Sequence, residues 1–372
     1  MALAITGVTG TISNGQSVTI TGTDFGATGP TVKVFDDFDA GTSGNRIGDG
    51  VTSARVGSWR DSSLACDPTH YSVYSTGAAH SGSQSAYQDW GAAPNPDGGA
   101  MWFGLDIGTP SARWYISYWV YIPSASDVPG YGESGGANWK LWWLSTDDLY
   151  GSDYGVQIIS NDSPMNMAFG PIDGGEDRCS TGDYIESSFT KGRWMRMEFL
   201  LVGATDSSGA IYGWLMDSAN ARYLWASDDN DNTLYAAGST GWRYLKMPGY
   251  ARLDDDADTY YDDVYVATGA GAQARVEIGN NATYTSCTNL AVCTPTAWGD
   301  TEITATVRAG SFTTGTAYLF VVDASGNASA GKEITLGNTY GSAKIIGVST
   351  GSISKIDGVA ISSINKIFGY DF

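Results

Sequence analysis

The sequence has few histidines, few cysteines and no long apolar segment. Among 372 residues there are two histidines and four cysteines, and only 16% of the chain is charged. Two histidines are too few for a histidine-rich metal site. No apolar run approaches the roughly 20 residues that a membrane-spanning helix needs. We therefore expect no membrane insertion.

Basic residues are also scarce, because 40 acidic residues face 20 basic ones and the net charge is −20. Such an acidic chain is a poor partner for nucleic acid or for anionic membranes. Only seven of the acidic residues are glutamate, so aspartate dominates, and aspartate suits turns and hard cations. With 49 glycines and 12% aromatic residues, the composition predicts an all-β, loop-rich fold.

Four cysteines allow few covalent crosslinks. Cys287 and Cys293 are close enough in sequence to bridge a loop by a disulfide. Cys66 and Cys179 pair only if the fold brings their Cα atoms within about 7 Å. The alternative for both pairs is free thiols made in a reducing compartment.

Two distant segments each read as half of one small β-domain. Residues 1–35 contain alternating runs such as Val18-Thr19-Ile20-Thr21, and residues 271–337 supply further strands such as 316–322. Neither half can bury a core alone. Together they have about seven strands in roughly 100 residues, the size of an immunoglobulin-like sandwich. Three segments resemble the IPT/TIG group of immunoglobulin-like domains. They are Val18 to Gly26, Trp298 to Ile303 and Val322 to Ser329.

Residues 36–270, between these halves, show strand-like stretches and little helical signal, which predicts a two-sheet jelly roll. Four pieces of this segment resemble the concanavalin A-like lectin/glucanase superfamily. They are the Phe-Asp-Asp-Phe start at 35–38, the strands at 114–121 and 192–199, and the Tyr-Asp-Asp-Val-Tyr-Val end at 261–266. That resemblance implies calcium near the terminal strands, with Asp37, Asp39 and Asp263 as ligands; the alternative is acidic strand ends in solvent.

Aromatic residues are concentrated in the jelly roll, where twelve of the thirteen tryptophans lie. Flat rings stack on sugars, and neighbouring charged groups bind the hydroxyls. We expect a sugar-facing groove lined by some of a set of seven residues. The set is Tyr115, Trp119, Tyr121, Lys140, Trp142, Arg196 and Trp214. The alternative is that these aromatics fill a large sandwich core.

Catalytic motifs of this fold are missing from the sequence. No Glu-x-Asp-x-x-Glu pattern is present for a retaining glycosidase. The nearest match to a lyase Gln-x-His strand is Gln157-Ile158-Ile159, and Ile159 cannot accept a proton. These absences favour binding without turnover. A secreted polysaccharide lyase or glycoside hydrolase remains the alternative.

The C-terminal residues 338–372 repeat a Lys-Ile-x-Gly pattern at Lys344, Lys355 and Lys366, which favours short strands and turns. This segment resembles the C-terminal repeats of phage virion proteins, and we expect it to contact other virion proteins or to form a homo-oligomer. The N-terminus lacks the basic and apolar regions of a secretory signal. We therefore expect a virion surface protein, a decoration or tail fibre subunit, that adheres to surface glycans. The alternatives are secretion without a Sec signal peptide, and a purely structural virion subunit without a ligand.

Overall fold

A computed structural model shows an all-β protein built of antiparallel strands. It describes residues in the following ranges: 2–48, 53–60, 71–89, 103–126, 138–146, 154–160, 165–171, 185–234, 240–248, 251–252, 258–337, 339–340, 355–356, 359–360, 366–367 and 370–371. Within that part of the chain, no helix has the length and apolar character that crossing a membrane requires. Cys66 and Cys179 lie outside the described residues.

The first sandwich, called the host below, combines strands from both ends of the chain. Its strands are β1 (Ala4–Thr11), β2 (Ser17–Thr23), β18 (Arg275–Gly279), β19 (Leu290–Trp298), β20 (Glu302–Thr306), β21 (Gly315–Val322), β22 (Lys332–Leu336) and β23 (Thr339–Tyr340). They pair in the order β22-β21-β18-β19-β20-β2-β1-β23. A short 3-10 turn, Tyr284–Ser286, precedes β19.

Pairing of β2 with β20 joins the two ends of the chain. Ile20 lies opposite Ile303 in this pair. Val18, Ile20, Leu319 and Val321 then share one buried core, so the row of strands encloses it from two sides. The interrupted host is therefore one sandwich, because each half supplies the apolar face that the other half needs.

Strands β3 to β17 form the jelly roll, which has two facing sheets. The proximal sheet, on the host side, has the order β14-β13-β12-β7-β17-β5-β4, with β3 paired to β17. Its strands are β3 (Thr31–Asp36), β4 (Val73–Ser75), β5 (Ser85–Asp89), β7 (Arg113–Tyr121), β12 (Trp194–Val202), β13 (Gly209–Asp217), β14 (Tyr223–Asp231) and β17 (Asp258–Thr268).

The distal sheet, on the side away from the host, has the order β11-β10-β9-β8-β15-β6, with β16 paired to β8. Its strands are β6 (Phe103–Ser111), β8 (Asn138–Ser145), β9 (Tyr154–Ser160), β10 (Met165–Pro171), β11 (Ile185–Phe189), β15 (Trp242–Met247) and β16 (Ala251–Arg252). Alternate residues of both sheets, including Trp114, Phe199, Trp142 and Leu245, fill the space between them.

This architecture confirms the predicted fold class, a jelly-roll sandwich inserted into a split immunoglobulin-like sandwich. Beyond the host, two small hairpins lie in the C-terminal repeats. They are β24 (Lys355–Ile356) with β25 (Val359–Ala360), and β26 (Lys366–Ile367) with β27 (Tyr370–Asp371). Both hairpins have the same pairing register, so the repeat in the sequence is also a repeat in the backbone.

Of the two alternatives for Cys287 and Cys293, a disulfide or free thiols, the structure has two buried free thiols. Cys293, on β19, points into the host core. Cys287 instead packs with Trp119 and Phe320 at the boundary between the two sandwiches. The two side chains thus serve different apolar clusters, although they are close in sequence. Burial raises the pKa of the Cys293 thiol to about 12, which keeps it protonated and unreactive.

Candidate functional site

The outer face of the distal sheet carries a recessed group of cations and aromatic rings. Strand alternation places Leu144 and Leu245 in the jelly-roll core, and their strand neighbours point the opposite way. Lys246 lies opposite Trp143, and Tyr244 lies opposite Ser145, across the β15–β8 pair. Lys140, Trp143, Tyr244 and Lys246 are each less than 9% exposed. These four side chains are therefore recessed, whereas Arg60 and Arg243 on the same face are partly exposed.

Two ammonium groups flank one indole ring on this face. The Nζ atom of Lys140 is 5.6 Å from the centroid of the Trp143 ring. The Nζ atom of Lys246 is 5.5 Å from the same centroid. Both distances are within the range of cation–π attraction, which holds the two charges beside a flat apolar surface.

The same face continues over Tyr244 to an ion-paired group. Arg243 donates two hydrogen bonds to Asp106, of 2.7 and 2.8 Å. The guanidinium carbons of Arg243 and Arg60 lie 4.8 and 5.7 Å from the Tyr244 ring. Hydrogen bonding from Arg243 lowers the pKa of Asp106, so that carboxylate is charged at neutral pH. The described residues of this face thus bring together four cations and one carboxylate.

Of the predicted glycan-binding residues, only Lys140 lies in this recessed group. Trp142 is fully buried in the jelly-roll core, on the opposite face of β8. A bulge between Lys140 and Trp142 changes the alternation, so Trp143 takes the position beside Lys140. Gln157 is the backbone partner of Lys140, and its side chain and that of Ile159 lie outside the described residues.

Tyr115 and Arg196 occupy the boundary between the sandwiches, where a glycan has no access. Both are at most 1% exposed. Arg196, on β12, pairs with Glu277 of the host strand β18. The Tyr115 hydroxyl donates a 2.7 Å hydrogen bond to Glu198. The prediction placed these polar groups on a solvent-facing surface, and the host sandwich covers that surface instead.

These residues belong to a buried charge network that joins the two sandwiches. Arg222 donates hydrogen bonds of 3.0 Å to both carboxylate oxygens of Glu198. On the host side, Arg275 donates a 2.6 Å bond to the Tyr284 hydroxyl, which donates a 2.5 Å bond to Glu277. Arg275 also reaches across to Glu198 at 3.4 Å. Every carboxylate in the network is therefore paired with a cation.

Electrostatics in the network strongly favour charged carboxylates. Burial by itself would raise the pKa of Glu198, but Arg196, Arg222 and Arg275 together hold that pKa well below its usual range. Burial is likewise outweighed at Glu277, where Arg196 and Arg275 lower the pKa. Charged groups this deeply buried are tolerated only because each has opposite charges and hydrogen-bond partners around it.

The other three predicted residues lie elsewhere on the proximal sheet. Trp119 is 4% exposed and packs in the apolar part of the boundary with Met216, Leu290 and Phe320. Tyr121 and Trp214 are half-buried. The Trp214 ring stacks on Tyr212 at 6.0 Å. The seven predicted residues therefore do not form one groove.

The three predicted calcium ligands are each held by hydrogen-bond donors. Asp37 pairs with Arg55 at 2.9 Å. Asp39 accepts bonds from the backbone of Ser83 and Gln84, and Asp263 binds the side chains of His80 and Ser81. Within the described residues, no group of three or more His, Cys, Asp or Glu side chains is arranged to hold a metal ion. Calcium binding by this protein stays a prediction.

Asp36, at the end of β3, makes the stability of the jelly roll depend on pH. Burial raises its pKa from 3.8 to about 7, against the opposing hydrogen bonds from Ser53, the Phe38 backbone and Trp59. Its folded pKa is above the unfolded one, so stability present below the unfolded pKa is lost as pH rises through the folded value. We expect the free energy of unfolding to fall as pH rises from 3.8 to about 7, measured by urea denaturation. A carboxyl carbon of Asp36 that titrates near 4 in an NMR experiment would contradict this expectation.

Comparisons with known proteins give structural matches only. The sequence matches no protein family and no curated protein. An endo-β-1,4-glucuronan lyase from the fungus Trichoderma reesei is 9% identical with a TM-score of 0.40, and the match covers 61% of this chain and 96% of the lyase. Alginate lyase Aly36B is 12% identical with a TM-score of 0.42, covering 64% and 97%. The cellulose-induced protein Cip1 is 17% identical with a TM-score of 0.39, covering 64% and 98%. Likeness at this level says nothing of what this chain binds.

Proposed function

We propose that the jelly roll binds an acidic glycan on the outer face of its distal sheet. The observation that carries this proposal is the pair of recessed lysines, Lys140 and Lys246, on either side of the Trp143 ring. A sugar ring stacks on an indole, and a carboxylate on that sugar pairs with an ammonium group. Arg60 and Arg243 extend the same positive character beyond Tyr244.

Charge supports an acidic ligand over a neutral one. The chain as a whole carries −20, so a polyanion is repelled by most of its surface. Four cations lie on this face, and its carboxylate, Asp106, pairs with both Arg243 and Arg60. If an acidic polymer binds these cations, its affinity should fall as salt rises.

The proposal predicts a large loss of affinity when either recessed lysine loses its charge. Lys140→Met and Lys246→Met keep most of the side-chain volume and remove the ammonium group. Because a charge-assisted hydrogen bond contributes about 1.5–3 kcal/mol, we expect each variant to weaken binding roughly ten- to a hundredfold. The measurement is isothermal titration with polymers of uronic acid, such as alginate and polygalacturonate.

Lys332→Met is the matched control, since Lys332 lies on the host strand β22, away from the distal sheet. It should bind as the unaltered protein does. The proposed site would be wrong if the Lys140 and Lys246 variants bound every acidic polymer as tightly as the unaltered protein does. It would also be wrong if uncharged polymers bound at this face as tightly as acidic polymers do.

A polysaccharide lyase is the second candidate function, and one observation favours it. Tyr244 and Lys246 are alternate residues of β15 and are both recessed on this face. Hydroxyl and amino groups held away from water are candidates for proton transfer next to a bound uronate. Incubation with each acidic polymer, followed by absorbance of unsaturated product, tests this function. If the unaltered protein forms unsaturated product and Tyr244→Phe does not, the function of this face is catalysis and not binding alone.

We also propose that the host displays the jelly roll on a virion surface, as a decoration or tail fibre subunit. The support is the architecture: the jelly roll is inserted into the host between β2 and β18, and repeated hairpins follow the host. Residues 338–372 would contact other virion proteins or further copies of the chain. Electron microscopy of particles labelled with an antibody to the jelly roll tests this role. Label confined to unassembled protein would contradict it.

A further inference from the structure

Four aromatic side chains form a continuous row across the outer face of the proximal sheet. Trp194 on β12 lies opposite Tyr121 on β7, which lies opposite Tyr260 on β17. Tyr260 in turn lies opposite Tyr87 on β5. The row therefore crosses four adjacent strands with one ring on each strand. We call it the aromatic row.

Neighbouring rings of the aromatic row touch along its whole length. Ring centroids are 5.5 Å apart for Trp194 and Tyr121, 6.0 Å for Tyr121 and Tyr260, and 4.8 Å for Tyr260 and Tyr87. The rings are inclined to one another by 34° to 53°. Their spacing follows the distance between strands, which is about 4.8 Å.

The aromatic row is not part of the jelly-roll core. Core positions on the same strands are the alternate residues Met195, Val120, Tyr261 and Ala86, which point to the other side of the sheet. All four rings of the row are half-buried. The packing of the sandwich core therefore does not account for them.

The host contacts the aromatic row at one end. Trp194 packs against the apolar cluster at the boundary between the sandwiches, so the row begins where the host ends. Tyr121, Tyr260 and Tyr87 continue away from that boundary toward β4. A half-buried Val73 lies opposite Tyr87 and extends the apolar strip by one more strand.

Polar groups border the aromatic row on one side. The Tyr87 hydroxyl donates a 2.6 Å hydrogen bond to Asp258. The Asp258 backbone N–H donates a 3.1 Å bond to the Ser126 hydroxyl, and Lys191 donates a 2.7 Å bond to the Ser126 carbonyl. An apolar strip with hydroxyl and carboxylate groups at its margin is suited to a ligand that has flat apolar faces and hydroxyl edges.

We propose that the aromatic row is a second binding surface, for an extended and uncharged polysaccharide. A pyranose ring is close in width to a tyrosine ring, so successive sugars of an extended chain can stack on successive rings. The margin carries one carboxylate, Asp258, and one ammonium group, Lys191, which together suit an uncharged ligand, and a carboxylate accepts bonds from sugar hydroxyls. This surface is separate from the distal face, so its ligand and its failure are independent of the proposed function.

The test compares alanine variants within the row by affinity electrophoresis in gels containing neutral polymers, such as hydroxyethyl cellulose, xylan and mannan. We expect Tyr121→Ala and Tyr260→Ala each to weaken retardation roughly tenfold, because each removes one stacking ring. Tyr121→Phe keeps the ring and should retain most of the affinity. Tyr212→Ala is the matched control, since Tyr212 is a half-buried residue of the same sheet outside the row.

Four outcomes would overturn this inference. One is that no neutral polymer retards the protein, and another is that the row variants bind as tightly as the control. A third is that Tyr260→Ala changes the oligomeric state by light scattering, which would make the row a contact between copies. Loss of neutral-polymer binding in Lys140→Met and Lys246→Met would show one shared site instead of two. Near-ultraviolet circular dichroism of every variant confirms that the jelly roll is folded.

Discussion

Replacing Glu277 by alanine should lower the free energy of unfolding by about 3–5 kcal/mol, the cost of breaking a buried ion pair by removing one partner. Glu277 is fully buried and is the host carboxylate that faces both Arg196 and Arg275. Without it, two guanidinium groups remain in a region that water does not reach. The Tyr284 hydroxyl also loses the acceptor that it holds at 2.5 Å.

Urea denaturation at pH 7 is the measurement, and Glu333→Ala is the matched control. Glu333 is an exposed carboxylate of the same sandwich, on β22, so its loss should change stability by no more than about 0.5 kcal/mol. A Glu277→Ala protein as stable as the control would show that water or a rearranged arginine satisfies the site. That result would also remove the argument that the network holds the two sandwiches together.

The same network predicts the acid limit of stability. The pKa values of Glu198 and Glu277 are lowered by their arginine neighbours. A carboxylate with a depressed folded pKa contributes stability above its unfolded pKa and loses that stability as pH falls through the folded value. The network should therefore be intact at pH 5 and lost only in strong acid. A Glu277→Ala protein should show a flatter decline of stability below pH 4 in urea denaturation.

Much of the fold was predictable from alternation along the strands. Alternation in Trp-Met-Arg-Met-Glu at 194–198 predicts Met195 and Met197 on a buried face and Arg196 on the opposite face, and the two methionines lie in the core. The pattern does not show what covers an outward face. Arg196 meets its partner Glu277 at a separation of 81 residues, so the covering sandwich is a property of the tertiary fold. Alternation therefore predicts that Arg196 is exposed, whereas the host buries it.

The candidate site was predictable only in part. Lys140 was expected, but Trp142 was chosen in place of Trp143 because simple alternation does not include the bulge between Lys140 and Trp142. Lys246 and Tyr244 were missed, although their alternation in Trp-Arg-Tyr-Leu-Lys-Met is a readable signal. The aromatic row could not be predicted from the sequence, because its four residues lie on four distant segments that only the strand register brings together.

Shortening Ile20 to alanine should destabilise the jelly roll as well as the host in which it lies. Ile20 is fully buried in the host core, opposite Ile303, so its truncation costs about 2–5 kcal/mol. Two apolar clusters and the charge network connect that core to the proximal sheet. Because the host and the jelly roll share these buried contacts, we expect them to unfold together.

Tryptophan fluorescence makes this coupling measurable, since twelve of the thirteen tryptophans lie between residues 59 and 242, outside the host. The fluorescence midpoint in urea should therefore move with the host mutation, together with the far-ultraviolet signal. Ile20→Val provides a graded control, with an expected loss of about 0.5–1.5 kcal/mol. An unchanged fluorescence midpoint in Ile20→Ala, with a separate earlier transition for the host, would show that the sandwiches unfold independently. The buried boundary would then fix the position of the jelly roll without contributing to its stability.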